Sequence, residues 1–123
     1  MLVIEDDANT REMLRRTLGQ DGWRVLEAEN GRAGLKQLDG AAPALILLDL
    51  MMPEMDGFQF MEALRRRQDG KRVPVIVITA KDLTEEDRRR LNARVERIIQ
   101  KSASSTQEVL DLVRALLAGR ADL

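Results

Sequence analysis

The chain has no cysteine and no histidine among its 123 residues. The first absence excludes disulfides, thiol nucleophiles and Cys-ligated metals. The second removes the commonest zinc ligand and the side chain most used for acid/base work near neutral pH. Chemistry here must run on carboxylates, hydroxyls, Lys, Arg or a hard metal ion. An excess of one charge is also missing: 20 basic against 21 acidic residues leave a net charge of −1, so nothing pulls the whole molecule toward nucleic acid or an anionic membrane. Apolar runs are short, too short to span a bilayer, and no signal peptide is visible. A cytoplasmic protein with no membrane contact and no nucleic-acid partner is the expectation.

What is present is alternation. Short apolar runs (Leu2–Ile4, Trp23–Ala28, Ala44–Leu48, Val73–Ile78, Val95–Ile99) alternate with amphipathic segments (Ala8–Gly19, Asn30 to Leu38, Phe58–Arg67, Thr84 to Ala93, Thr106–Leu117). Met13, Leu14, Thr17 and Leu18 form the expected buried face of the first helix. Val109, Leu110, Val113, Leu116 and Leu117 do so in the last. Asp69-Gly70 reads as a chain break. Five β-α repeats imply a parallel sheet covered on both faces. Right-handed crossovers make a doubly wound, five-stranded parallel α/β sheet of order 2-1-3-4-5 the leading architecture. Glu96 and Arg97 mark the fifth strand as an edge.

In such a sheet, sites form beyond the carboxyl ends of the strands. Strand 1 ends in Glu5-Asp6-Asp7, strand 3 in Asp49, strand 4 in Thr79-Ala80, and strand 5 at Gln100-Lys101. Asp49 follows five apolar residues, which puts a carboxylate where a buried strand meets water. Alone, it reads equally well as a strand-end cap. Crowded acids need a counter-charge, and Mg²⁺ suits oxygen ligands and phosphate. An Asp carboxylate is also an established nucleophile toward phosphoryl groups, with positioning and charge neutralisation lowering the barrier. Lys101 would neutralise phosphoryl oxygens, and the Thr79 hydroxyl would donate to another.

Leu2-Val3-Ile4-Glu5-Asp6-Asp7, Asp49-Leu50-Met51-Met52-Pro53-Glu54-Met55-Asp56-Gly57, Val77-Ile78-Thr79-Ala80 and Gln100-Lys101 together resemble the receiver (response regulator) domains of bacterial two-component systems. The segment from Thr79 to Thr84 and the stretch before Lys101 look most like receivers attached to hybrid sensor histidine kinases. The resemblance implies a flavodoxin-like (βα)5 domain over 1–118 with a frayed tail over 119–123. It implies that Asp49 is the phosphoacceptor, Thr79 the switch hydroxyl and Lys101 the phosphate-binding lysine. Asp6 and Glu5 match the acidic pair for Mg²⁺, with Asp7 the alternative to Glu5. Asp49 would join them, and Met51 would offer its backbone carbonyl. The implied partner is a histidine kinase or a phosphotransfer protein. Nothing in the sequence selects for or against a homodimer through helix 4, strand 5 and helix 5.

The chain departs from the family at three places. Ser102 replaces the usual proline after the lysine, which leaves the isomer of the Lys101–Ser102 bond open. Ile98 replaces an aromatic switch residue. Strand 1 starts almost at Met1, as in a domain excised from a longer protein. The competing enzyme reading is a Mg²⁺-dependent phosphohydrolase working through an aspartyl-phosphate. It needs a second acid two residues after the nucleophile, where this chain has Met51. A self-phosphorylating and self-dephosphorylating switch is therefore expected rather than a turnover enzyme, with an inactive docking receiver as a further alternative. Met51 cannot bind a hydrolytic water, whereas Lys81 could reach it; a moderate to long phosphoryl lifetime is the expectation. Met52 and Met55 read as packing residues, Trp23 as packing at the start of strand 2, and Arg65-Arg66-Arg67 and Arg88-Arg89-Arg90 as solvated helix faces.

Overall fold

The structure is a computed structural model, and it describes all residues except Ala41, Pro53, 68–72, Ala93 and 119–123. The expected break at Asp69-Gly70 and the expected tail over 119–123 lie outside the described residues. The elements run β1 (Leu2–Ile4), α1 (Ala8–Gln20), β2 (Leu26–Ala28), α2 (Gly31–Gly40), β3 (Ile46–Leu48), α3 (Gly57–Arg66), β4 (Val75–Thr79), α4 (Glu85–Asn92), β5 (Arg97–Gln100) and α5 (Ser105–Leu116). All strand pairs are parallel, in the order β2-β1-β3-β4-β5.

The central strands β1, β3 and, up to Ile78, β4 are apolar because alternate residues feed two cores. Leu2, Ile4, Ile46, Leu48, Val75 and Val77 point to one face, where Leu38, Phe60, Met61, Leu64 and Leu91 from α2, α3 and α4 cover them. Val3, Leu47, Ile76, Ile78 and Ile99 point to the other, beneath Leu14 and Leu18 of α1 and Val109 and Val113 of α5. Phe60 has no exposed surface; truncating such a side chain to Ala typically costs about 3–5 kcal/mol.

Several boundaries differ from the sequence reading, each for a local reason. Trp23 does not open β2: its N–H donates to Leu18 O at 3.1 Å, closing the end of α1, and β2 pairing begins at Leu26 N–H to Met1 O. Trp23 stays half-buried beside the α1–α5 core, with its indole N–H on Asp21 Oδ2 at 3.2 Å. Val95 is not in β5, because its N–H closes the last turn of α4 on Leu91 O. Pro74 lies just ahead of β4 and contributes only its carbonyl, which accepts from Ile46 N–H at 3.0 Å. Met13 lies off the buried stripe and is 47% exposed; Leu14 and Leu18 carry that stripe alone. Arg65 is not simply solvated, since its guanidinium donates to the carbonyls of Val73 and Arg94.

The segment after β3 is held tightly. Asp56 caps α3 by accepting from Gln59 N–H at 2.9 Å, and the Gln59 side chain returns the bond to Asp56 N–H at 3.0 Å. Asn30, which caps α2 at Ala33 N–H, also donates to Glu54 Oε2 at 2.9 Å. Glu54 adopts φ of 66°, a left-handed conformation uncommon outside glycine. No described helix is long and apolar enough to cross a membrane.

Candidate functional site

The ladder delivers the site residues to one edge. Asp49 N–H donates to Ile4 O at 3.0 Å, and Glu5 N–H donates to Ala28 O at 3.0 Å, so both acids begin where their strands end. Lys101 N–H donates to Thr79 O at 2.8 Å, which ties the lysine after β5 to the last residue of β4. Glu5, Asp49 and Thr79 are buried polar residues, and every buried side-chain N or O among the described residues has a partner.

Carboxylate oxygens of Glu5, Asp6 and Asp49 lie within 4.8 Å of one another. Lys101 Nζ donates to Glu5 Oε1 at 2.8 Å and stands 3.4 Å from Asp49 Oδ2. Glu5 Oε2 accepts from Asp7 N–H at 3.2 Å, and the Arg11 guanidinium donates to Glu5 O at 2.8 Å. Asp49 Oδ1 accepts from Met51 N–H at 3.2 Å. Three carboxylates against one ammonium leave two net negative charges on the cluster. Burial pushes the Glu5 carboxyl up; the Lys101 bond opposes this, and Asp49 adds to it. Asp6 is also raised, by partial burial and then by Glu5. Burial alone would lower Lys101, but the Glu5 bond and the charges of Asp49 and Glu5 prevail and hold it above its ordinary value.

Glu5, Asp6, Asp49, Thr79 and Lys101 are thus brought to one edge as expected. Asp7 is not part of the acid cluster: it is exposed, and its carboxylate accepts the Thr10 hydroxyl at 2.5 Å. Met51 meets the site through its N–H, and its side chain is 56% exposed. That side chain, with Asp6, Leu50, Met52, Asp56, Phe58 and Lys81, lines an open groove of about 410 Å³ beside the acids. No described peptide bond is cis, so Lys101–Ser102 is trans.

Some supporting residues escaped the sequence reading. Lys81, which the sequence places within reach of a water at the site, has its ammonium on Asp87 Oδ2 at 2.7 Å. Gln100 Nε2 donates to Lys81 O at 2.9 Å. The spacing of Thr84 and Asp87, a hydroxyl and an acid three apart at a helix start, was the available signal for the first contact. The Asn30–Glu54 and Gln100–Lys81 bonds span 24 and 19 residues and had no local signal.

A 2-1-3-4-5 parallel sheet with three acids and a lysine gathered beyond β1, β3 and β5 defines the class of CheY-like signalling domains. The chain belongs to the response regulator receiver domain family, whose model matches residues 1–114. It is therefore a phosphoacceptor switch domain of two-component signalling. It is 36% identical over 117 residues to the response regulator MprA of Mycolicibacterium vanbaalenii, covering 95% of this chain and 49% of that protein. The chain thus spans about half the length of the curated relatives it matches. Among solved structures, the receiver domain of a signal transduction histidine kinase from Syntrophus aciditrophicus aligns with a TM-score of 0.85 and 29% identity, covering 99% of this chain and 92% of that one. The response regulator TrrA of Thermotoga maritima, solved in complex with Mg²⁺-BeF, aligns with a TM-score of 0.79 and 29% identity, covering 94% and 96%.

Proposed function

We propose that Asp49 accepts a phosphoryl group from a phosphohistidine, on a histidine kinase or a phosphotransfer protein, and that the phosphorylated domain is the signal. The observation that carries this reading is the position of Asp49, whose carboxylate lies within 4.8 Å of those of Glu5 and Asp6 and 3.4 Å from the Lys101 ammonium. A carboxylate oxygen of Asp49 attacks phosphorus, the P–N bond of the donor breaks, and the departing imidazole nitrogen keeps the bonding pair and takes up a proton. Lys101 leaves its balance between Glu5 and Asp49 to pair with a phosphoryl oxygen. Thr79, with its hydroxyl proton free to donate while its oxygen accepts from Lys81 N–H at 3.1 Å, meets another.

The donor set fits Mg²⁺: all oxygen, carboxylate-rich and doubly negative after Lys101 is counted. Glu5, Asp6 and Asp49 would hold the ion, with the Met51 carbonyl as a further ligand. When bound, it supplies the positive charge that offsets the phosphoryl oxygens beside these acids. The crystallised Mg²⁺-BeF complex of TrrA, a relative of the same fold and family, supports this use of the site. Phosphorylation then shifts the surface formed by α4, β5 and α5.

The test is labelling by a small phosphodonor such as phosphoramidate, with Mg²⁺ and with EDTA. The wild-type chain takes label only with Mg²⁺, and Asp49→Asn takes none. Undiminished labelling of Asp49→Asn would sink the assignment.

A further inference from the structure

Lys81 makes three contacts at once, each to a different element. Its N–H donates to the Thr79 hydroxyl oxygen at 3.1 Å. Its carbonyl accepts from Gln100 Nε2 at 2.9 Å, at the end of β5. Its ammonium donates to Asp87 Oδ2 at 2.7 Å, in the first turn of α4. The same Asp87 oxygen accepts Thr84 N–H at 3.1 Å, and Asp87 N–H donates back to the Thr84 hydroxyl at 3.0 Å. One carboxylate oxygen therefore holds both the start of α4 and the ammonium of the residue that reads Thr79.

We propose that Lys81 is a positioning residue that couples the Thr79 hydroxyl to α4 through its ion pair with Asp87. This rests on the reading that Asp49 is phosphorylated and Thr79 responds. A hydroxyl has one proton to give and two lone pairs to fill. The Lys81 N–H fills one pair of the fully buried Thr79 oxygen and so restricts where the proton can point. When Thr79 turns about its Cα–Cβ bond to bring its hydroxyl to a phosphoryl oxygen on Asp49, the oxygen itself moves, and the Lys81 backbone must follow it or break that bond. Either event is passed on at its ammonium to Asp87 and at its carbonyl to Gln100, so α4 and β5 sense one movement.

Two features make the link more than a loose surface contact. The Asp87 side chain keeps 13% exposure and that of Lys81 34%, which shields the pair from water and salt better than an open surface pair. The Lys81 bond also holds the Asp87 carboxyl below the usual aspartate range.

The experiment compares amide hydrogen exchange over residues 84–92 in the full chain, with and without beryllofluoride plus Mg²⁺ as the phosphoryl mimic. Lys81→Met removes the ammonium but keeps the stem. Asp87→Asn removes the charge but leaves an oxygen to accept Thr84 N–H. Wild type changes exchange in this segment on adding the mimic. Each variant, with Asp49 still labelled by phosphoramidate, shrinks that change by about twofold or more, and the double variant shrinks it no further than either single one. A role for Asp87 in helix capping alone predicts that Asp87→Asn and Lys81→Met leave the response intact, and that result overturns the coupling. Additive effects in the double variant overturn it as well. If wild type itself gives no response to the mimic, the phosphoacceptor reading fails, and this inference with it; a normal wild-type response with unaltered variants sinks the coupling alone.

Discussion

The ammonium of Lys101 is bonded to Glu5 at 2.8 Å and stands 3.4 Å from Asp49. The nearer partner is Glu5 rather than Asp49, so in this state the lysine serves as counter-charge for a buried glutamate. Phosphorylation of Asp49 adds a stronger anion beside it and turns the balance. Lys101→Met should therefore do two things. It should reduce steady labelling of Asp49 by a small phosphodonor, because the phosphoryl oxygens lose a cation. It should also lower stability, because Glu5 keeps only 3% side-chain exposure and loses its bonded ammonium. Lys101 is itself 26% exposed, so the loss should fall below the roughly 3–5 kcal/mol seen when a fully buried pair is broken. Urea unfolding read by circular dichroism measures the second effect. Unchanged labelling would show that Lys101 is only a structural counter-ion.

The acid cluster carries more negative charge than Lys101 offsets. Asp6 is pushed above the ordinary aspartate value by burial and by Glu5, which means that its charged form is disfavoured in the fold. Removing that charge should help the metal-free protein. In EDTA, Asp6→Asn is expected to melt at a higher temperature than wild type. Mg²⁺ should raise the wild-type Tm and raise that of Asp6→Asn less. Equal Mg²⁺ shifts in the two proteins would remove Asp6 from the metal site.

Gly57 opens α3 against the backbone of Asp49 and Leu50. A Cβ there would stand 2.7 Å from the carbonyl oxygen of Asp49 and 2.7 Å from Leu50 Cα, both backbone atoms. Neither can turn aside as a flexible side chain would. Gly57→Ala should destabilise by about 1–3 kcal/mol, as overpacking does, despite the better helix propensity of Ala. Because the clash falls on Asp49, labelling should also slow. A variant that is less stable but labels at the wild-type rate would show that the strand end yields without moving its carboxylate.

How much of this could be read in advance depended on distance along the chain. The five β-α repeats, the 2-1-3-4-5 order and the gathering of Glu5, Asp6, Asp49, Thr79 and Lys101 at one edge were legible, because each stands at or just beyond the end of a strand. Strand starts were less so. The amides of Trp23 and Val95 are taken by the ends of the preceding helices, and nothing in those residue types announces it. Which of Glu5 and Asp7 joins the acid cluster depended on the backbone, which directs the Glu5 carboxylate to Lys101 and that of Asp7 to Thr10. Least legible were the side chains that brace the loops. Lys81, read as a candidate for the site, instead binds α4, because the Thr84–Asp87 turn presents a carboxylate oxygen to it.

Asp21 offers a test of the fold by pH. Its carboxylate takes the Arg114 guanidinium at 2.7 and 3.1 Å and the Trp23 indole N–H at 3.2 Å. The Arg114 bond, then the Trp23 bond, holds Asp21 below the ordinary 3.8. A lowered folded-state pKa gives stability that is present above the unfolded value and is lost as pH falls through the folded one. Wild type should therefore exceed Asp21→Asn in Tm by a constant margin at pH values above 3.8, and the margin should close only below it. Trp23 is the single tryptophan, so its fluorescence should report the same transition. A margin that already closes near neutral pH would assign it to some other group.

The lifetime of the phosphoryl group follows from what surrounds Asp49. Hydrolysis needs a water in line with the P–O bond, and such a water needs a hydrogen-bonding group to hold it. Met51, two residues beyond Asp49, presents a thioether chain that is 56% exposed and a weak acceptor at best. Lys81, which also lines the groove, is engaged with Asp87. Neither is placed to fix the water, so label on Asp49 should outlast a timescale of seconds. Met51→Asn, which places an amide where the thioether stood, should shorten the lifetime without altering the rate of labelling to the same degree. Pulse labelling with phosphoramidate followed by removal of the donor separates the two rates. Decay within seconds in the wild-type chain would mean that another group orients the water.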